Sequence, residues 1–190
     1  MNRFLIVGLG NIGDEYEETR HNIGFKIVDA CAKKWNATFD NRRRYASVAE
    51  CTLKGKTIIL IKPSTFVNLS GKAVRYYLTE EKIPYKDMLV VVDDLALPFG
   101  SLRIKANGSD GGHNGLKNIQ EILQTNYYPR LRFGIENNFP KGGQVNYVLG
   151  KWSAEEEAKM NEYITKAIDA IESFCFIGLD RAMNIHNSRK

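Results

Sequence analysis

Two rhythms of apolar and polar positions alternate along the chain. Arg3–Leu9 (RFLIVGL) is a short apolar run stopped by glycines, the pattern of a buried strand. From about His21 the period lengthens: Ile23, Ile27, Cys31 and Trp35 recur every four residues and predict a helix with one apolar stripe. Tyr45–Leu53 and Thr57–Ile61 flank Lys54-Gly55-Lys56 and predict a hairpin. The loop Pro63–Asn68 leads into a helical stretch through Ala73, Val74, Tyr77 and Leu78. Met88–Val92 predicts a strand running straight into Asp93-Asp94. Ser101–Lys105 predicts another, followed by the glycine-rich segment Asn107–Gly115 and a helix through Leu116, Ile119 and Leu123. Arg130–Ile135 supplies the last strand. Ser153 and Glu156 have capping-box spacing, opening a long helix with Met160, Ile164, Ala167, Ile168 and Ile171 on one face. The expected fold is therefore α/β: a single three-layer domain over residues 1–190, with a mixed, mostly parallel central sheet flanked by helices.

Composition narrows the class without changing this picture. The chain has 190 residues, 43% hydrophobic and 26% charged, which excludes a disordered, collagen-like or coiled-coil protein. No apolar run approaches the ~20 residues that span a bilayer. The FLIVGLG run is shorter than a signal-peptide core and carries no small-residue cleavage pattern, so a cytoplasmic location is expected. Three widely spaced cysteines, Cys31, Cys51 and Cys175, indicate neither a disulfide framework nor a zinc knuckle. Lys and Arg exceed Asp and Glu by 27 to 22, a net +5 that hints at a polyanionic partner without naming it.

Gly8-Leu9-Gly10-Asn11-Ile12-Gly13 fits the G-x-G-x-x-G pattern of dinucleotide sites. That pattern needs a helix opening at the glycines, whereas here Asp14–Asn22 intervenes and is rich in carboxylates that repel phosphate. Gly71-Lys72 lacks the other parts of a Walker loop. Among the histidines, His186 sits in a polar stretch and reads as exposed, and His113 in GGHNG reads as a turn residue. His21 stands at a helix start, and Asn11, Asn68, Asp93 and Asn114 lie beyond apolar strands or at helix starts. In α/β sheets such ends gather into one crevice. A His with an Asp offers a base and its orienter, and amides offer donors to a peptide-like substrate. No G-x-S-x-G elbow, H-E-x-x-H or C-x-x-C is present, so neither metal nor cofactor is expected and direct activation of water by His21 fits. The glycine-rich 108–115 segment reads either as a phosphate nest or as a surface loop; Arg103, Lys105, Lys117, Arg130 and Arg132 flank it. Arg42-Arg43-Arg44 is a separate basic cluster, assigned to the surface.

Five blocks, LIVGLGNIGDEYEETRHNIG, KPSTFVNLSGKAV, DDLALPFGSLRIK, GGHNGLKNI and YPRLRFGIE, occur in order between Leu5 and Glu136. On them the chain resembles the bacterial-type peptidyl-tRNA hydrolases. The resemblance implies hydrolysis of the ester joining a peptide to the 3′-terminal ribose of tRNA, by a cytoplasmic monomer needing no cofactor. It implies His21 as general base, Asp93 as its orienter and Asn11 as the contact to the first peptide unit. Asn68 and Asn114 would hold the peptide and terminal nucleotide, Tyr16 and Phe66 would line the same groove, and Lys105 and Arg132 would meet the tRNA backbone. Ile12, Val67, Ala96 and Glu136-Asn137-Asn138 depart from the family pattern without touching a catalytic group. A non-catalytic RNA-binding protein and a nucleotide-dependent enzyme are the alternatives.

Overall fold

A computed structural model describes residues 2–187; residue 1 and residues 188–190 of the expected domain lie outside the described residues. One sheet is built from β1 (Arg3–Gly8), β2 (Ala46–Leu53), β3 (Lys56–Pro63), β4 (Met88–Asp94), β5 (Leu102–Lys105) and β6 (Arg130–Gly134), in the order β2-β3-β1-β4-β6-β5. The inner strands β3, β1, β4 and β6 are parallel, and β2 and β5 are antiparallel edges. This is the mixed, mostly parallel sheet that the alternating rhythm predicts. Helices α1 (Ile23–Lys34), α5 (Ala154–Ile177) and α6 (Leu179–His186) cover one face. Helices α2 (Gly71–Glu80) and α3 (Asn114–Leu123) cover the other. Along β1, Phe4 and Ile6 enter the first core while Leu5 and Val7 enter the second, so an unbroken apolar run is needed.

Connectivity positions the site. From β1 the chain crosses by α1 toward β3, and from β3 it crosses by α2 to β4, on the other side of β1. The two crossovers leave the carboxyl ends of β1 and β4 flanking a switch point, where α/β sheets open a crevice. The glycines of the apparent dinucleotide pattern serve packing at this place. A Cβ on Gly24 would lie 2.5 Å from the Leu9 nitrogen and 2.5 Å from the Val91 oxygen, and one on Gly8 would lie 2.4 Å from the Gly24 oxygen. Helix α1 therefore rests directly on the backbone of β1 and β4. Gly13, at φ 111°, supplies a backbone turn that other residues rarely adopt.

Some boundaries differ from the sequence reading, each for a local reason. Helix α1 starts at Ile23, after a 3₁₀ turn over Arg20–Asn22, because the Asn22 side chain bonds to Asn11 instead of capping the helix. Strand β4 continues through Asp94 because its ladder with β6 extends to Asp94 and Gly134. Helix α4 (Gln144–Val148) has no apolar stripe to betray it and buries none of its residues. Helix α6 is likewise unforeseen, and His186 on it is half-buried and 2.7 Å from the Ser173 hydroxyl, not exposed. Beyond α6, Asn187 accepts from the Ile104 N–H and donates to its carbonyl, covering part of the β5 edge. The capping box at Ser153 and Glu156 is formed. Among the described residues no helix is long and apolar enough to cross a membrane.

Gly24→Ala is expected to destabilise the fold by at least ~2 kcal/mol, because both atoms met are backbone and α1 must lift from the sheet. Ser153→Ala is expected to cost only ~1 kcal/mol, the loss of one cap. Urea unfolding of the two variants measures this ordering.

Candidate active site

Three segments meet at the carboxyl end of β4. Asp93, only 5% exposed, lies at the end of that strand. His21 comes from the 3₁₀ turn before α1, and His113 is the residue capping α3. The His21 Nδ1 lies 2.9 Å and 3.0 Å from the two Asp93 oxygens. The His113 Nε2 lies 2.8 Å from Oδ1 of the same carboxylate. One buried anion thus holds two imidazoles, whose rings are 4.9 Å apart.

The hydrogen bonds assign the tautomers. His113 Nδ1 accepts from the backbone N–H groups of Gly115 and Leu116, so its proton sits on Nε2 and is donated to Asp93. His21 donates from Nδ1 to Asp93, which leaves the lone pair of Nε2 available. Burial pushes His21 toward neutrality, but the Asp93 charge and its hydrogen bond outweigh burial, so the ring protonates above its ordinary pKa. Burial raises Asp93 in turn, and the fields and hydrogen bonds of the two histidines overcome it, holding the carboxyl well below the usual range. Asp93 therefore stays ionised.

His21, Asp93, Asn114 and Arg132 line one cavity of about 120 Å³, with Asp94, Gly112, His113 and the α4 residues Gln144, Val145 and Val148. Arg20 keeps α4 near His21: its guanidinium donates to the Tyr147 carbonyl, stacks 4.2 Å from that ring and pairs with Glu156 at 2.9 Å. A larger hollow of about 570 Å³ around Arg20, Phe99, Glu156 and Tyr163 is lined by none of the candidate residues. His21, Asp93 and His113 also have donor atoms close enough to hold a cation. Their hydrogen bonds already satisfy one another, however, and His113 would have to lose its Nε2 proton to ligate.

Asn11 faces a neighbouring groove of about 540 Å³ that includes Ile12, Asp14, Glu17, Phe25 and Pro63. Its Oδ1 accepts from the Val67 N–H at 2.7 Å, its backbone N–H donates to Asn22 Oδ1, and its carbonyl accepts from Asn22 Nδ2. These bonds fix the amide orientation and, among the described residues, leave Asn11 Nδ2 as an uncommitted donor. Val67 belongs to the 3₁₀ turn that carries exposed Asn68. The exposed Phe66 ring meets Tyr16 edge-on at 6.1 Å.

The basic candidates divide. Lys105 is exposed at the end of edge strand β5. Arg132 is buried in the cavity wall, donating to the Ser109 carbonyl at 2.9 Å, with Asp94 at 3.7 Å. Its neighbour Arg130 is fully buried and grips the carbonyls of Gly108, Ser109, Asn126 and Tyr128, which fastens the glycine-rich loop.

A model of the protein family described as Peptidyl-tRNA hydrolase matches residues 5–190. A Peptidyl-tRNA hydrolase of Phocaeicola vulgatus is 54% identical over 187 residues, covering 98% of this chain and 100% of the relative. One of Bacteroides fragilis is also 54% identical over 187 residues, with the same coverage. The crystal structure of peptidyl-tRNA hydrolase from Acinetobacter baumannii superposes with a TM-score of 0.92 at 34% identity, covering 100% of this chain and 96% of that one. The chain belongs to the peptidyl-tRNA hydrolase family.

In this member of the peptidyl-tRNA hydrolase family the cavity holds His21, Asp93 and Asn114, and Asn11 faces the neighbouring groove. Sequence reasoning missed two members of the arrangement. His113 reads as a turn residue because GGHNG is turn-like; its place before a helix was visible, but its reach to β4 was not. Asn22 was seen only as a neighbour of His21, and its bonds to Asn11 span a loop.

In an imidazole NMR titration, His21 should protonate above ~6.5, the ordinary histidine value. Asp93→Asn removes the anion and leaves burial, so the His21 pKa should then fall below that value. The neutral His113 ring should show the Nε2–H tautomer that its two backbone donors impose on Nδ1.

Proposed function

We propose that this chain hydrolyses the ester between the peptide and the 3′-terminal ribose of peptidyl-tRNA, with His21 as general base and Asp93 as its orienter. The observation that carries the reading is the His21 Nε2 lone pair, freed by the Nδ1 bond to Asp93, at a cavity shared with Asn114. In the first step His21 Nε2 takes a proton from water as the water oxygen bonds to the ester carbonyl carbon. Asp93 stabilises the imidazolium that results. In the second step the bond to the ribose oxygen breaks, and His21 returns its proton to that oxygen. Peptide acid and free tRNA leave, and no covalent enzyme intermediate forms.

In this reading Asn11 Nδ2 donates to a carbonyl of the first peptide unit, supported by the Val67 N–H on its Oδ1 and by Asn22 on its backbone. Asn114 opens α3, whose positive end favours charge developing on the carbonyl oxygen. Asn68, Tyr16 and Phe66 line neither the cavity nor the Asn11 groove; this reading has them meet the peptide and terminal nucleotide from the turn bonded to Asn11 and the ring packed on it. Lys105 reaches solvent for tRNA phosphates, and Arg132 acts from the wall by holding the glycine-rich loop and adding positive potential. His113 keeps Asp93 oriented toward His21. A general base typically contributes ~10²–10⁴-fold and aimed donors a similar factor, so the reading asks for neither a metal nor a cofactor. It treats residues 1–190 as one domain working as a cytoplasmic monomer.

His21→Ala should lower kcat on an N-blocked aminoacyl-tRNA by ~10²–10⁴-fold, and full retention of activity would sink the mechanism. Because the base must be neutral, kcat/KM should rise with pH through a limb above the ordinary histidine value; Asp93→Asn should lower the rate and move that limb down. EDTA should leave the wild-type rate unchanged. Lys105→Ala should raise KM with little change in kcat, and flatten the dependence of log kcat/KM on log salt by ~0.7–0.9. An unchanged salt slope would remove Lys105 from the tRNA interface.

A further inference from the structure

The Arg42–Arg44 cluster plays no part in the chemistry above, yet the fold builds it into a defined surface. Tyr45 and Tyr76 meet edge-on at 5.3 Å, and Tyr76 meets Tyr77 in the same way at 4.9 Å. The Arg44 guanidinium lies 4.9 Å from the Tyr45 ring and 5.5 Å from the Tyr76 ring, and donates to the Tyr45 hydroxyl at 3.1 Å. The Lys72 ammonium lies 4.9 Å from the Tyr45 ring on its own account. Tyr45 holds a left-handed backbone at φ 64°, unusual for a tyrosine, and its carbonyl accepts from the Ser64 N–H at 2.8 Å. The Tyr77 hydroxyl donates to the Arg44 carbonyl and anchors the segment from beneath. Tyr45, Lys72, Arg75, Tyr76, Thr79 and Glu80 enclose a hollow of about 250 Å³.

Charge in this patch is not internally balanced. Among the described residues none of Arg43, Arg44, Lys72 or Arg75 forms an ion pair, although Glu80 lines the hollow. The Arg44 hydrogen bond, and after it the Arg44 and Lys72 charges, hold the Tyr45 phenol below its ordinary pKa. The patch also follows in sequence the turn that is bonded to Asn11. Phe66, Asn68 and Leu69 are exposed on the turn that leads into α2, and Lys72, Arg75 and Thr79 follow on the exposed side of that helix. Three strand spacings of ~4.8 Å separate β2, where Tyr45 enters the sheet, from β4, where Asp93 leaves it. Cations interleaved with aromatic faces suit a nucleic-acid strand, whose phosphates pair with the cations while bases or riboses lie on the rings.

We propose that Arg44, Lys72 and Arg75, with the Tyr45 and Tyr76 rings, form a second RNA-backbone site that grips the substrate tRNA away from its 3′-terminal ester. This rests on the proposed hydrolysis of peptidyl-tRNA, and it adds a contact on the opposite sheet edge from Lys105. The patch lies outside the cavity, so it acts on binding of the long substrate and not on the chemical step.

The test compares wild type with the triple variant Arg44→Ala/Lys72→Ala/Arg75→Ala on two substrates. One is a full-length N-blocked aminoacyl-tRNA; the other is the same N-blocked amino acid esterified to a short 3′-terminal oligonucleotide. On the full-length substrate the variant should show about a tenfold higher KM, unchanged kcat and a salt slope flatter by ~2. On the short ester its kinetics should match wild type. An unchanged KM and salt slope on the full-length substrate would overturn the site. So would an equal loss on both substrates, the result expected if the patch held the peptide. Binding of deacylated tRNA, read by fluorescence anisotropy, separates the two readings. If wild type cleaves neither ester, the hydrolysis reading has failed, and a tenfold weaker tRNA affinity of the triple variant still decides whether the patch grips RNA.

Discussion

A carboxylate buried at the end of a central strand is expensive unless its oxygens are bonded, and Asp93 is satisfied by two imidazole N–H groups. That requirement joins three otherwise separate parts of the chain: the end of β4, the turn before α1 and the start of α3. It also sets the chemistry. Because Asp93 stays ionised, His21 is held as an Nδ1 donor with Nε2 free, and its basicity rises. A stronger base is protonated over a wider pH range, so the gain in proton affinity is offset by a smaller neutral fraction. His113 donates a second hydrogen bond to the same carboxylate.

Around this centre the charge is divided. The groove beside Asn11 carries Asp14, Glu17, Glu18 and Asp29, of which Glu18 pairs with Lys26 and Asp29 with Lys62. On the other flank the β5–β6 ladder sets Arg103 opposite Arg132 and Lys105 opposite Arg130. Like charges directly opposite one another in a ladder are destabilising. Here the two inner arginines are absorbed by carbonyls of the glycine-rich loop and its neighbours, with Asp94 near Arg132. Lys105 is left facing solvent. A substrate with one polyanionic and one peptide part suits such a division, which the net charge of +5 averages away.

Much of this is legible in the sequence, though unevenly. Apolar runs placed the six strands to within a residue or two, because both faces of the inner sheet are buried and burial leaves an unmistakable pattern. The capping box announced α5 because its two bonds lie within four residues. Helix α4 escaped because it buries nothing, and α6 because it packs on distant β5 as well as back on the preceding α5. Their places at strand ends and helix starts singled out His21, Asp93 and Asn114, which share one cavity in the fold, and Asn11, which faces the groove beside it; Asn68, grouped with them, lines neither. Arg132 was expected to meet the tRNA backbone and stands buried in the cavity wall, because β6 is an inner strand covered on both faces and the glycine-rich loop takes its guanidinium.

What the sequence determined by itself was local: strand and helix periods, the glycines where α1 meets β1, and the motif blocks of a family. Those signals survive in one dimension because each depends on residues a few positions apart or on burial alone. Tertiary structure alone decided that His113 bonds Asp93, 20 residues away, that Asn22 fixes Asn11, and that Arg44, Lys72 and Arg75 share one surface with two tyrosines. Hydrogen bonds and ring contacts depend on distances of a few ångströms between side chains far apart in sequence. Only the crossing of the chain over β1 brings those side chains together.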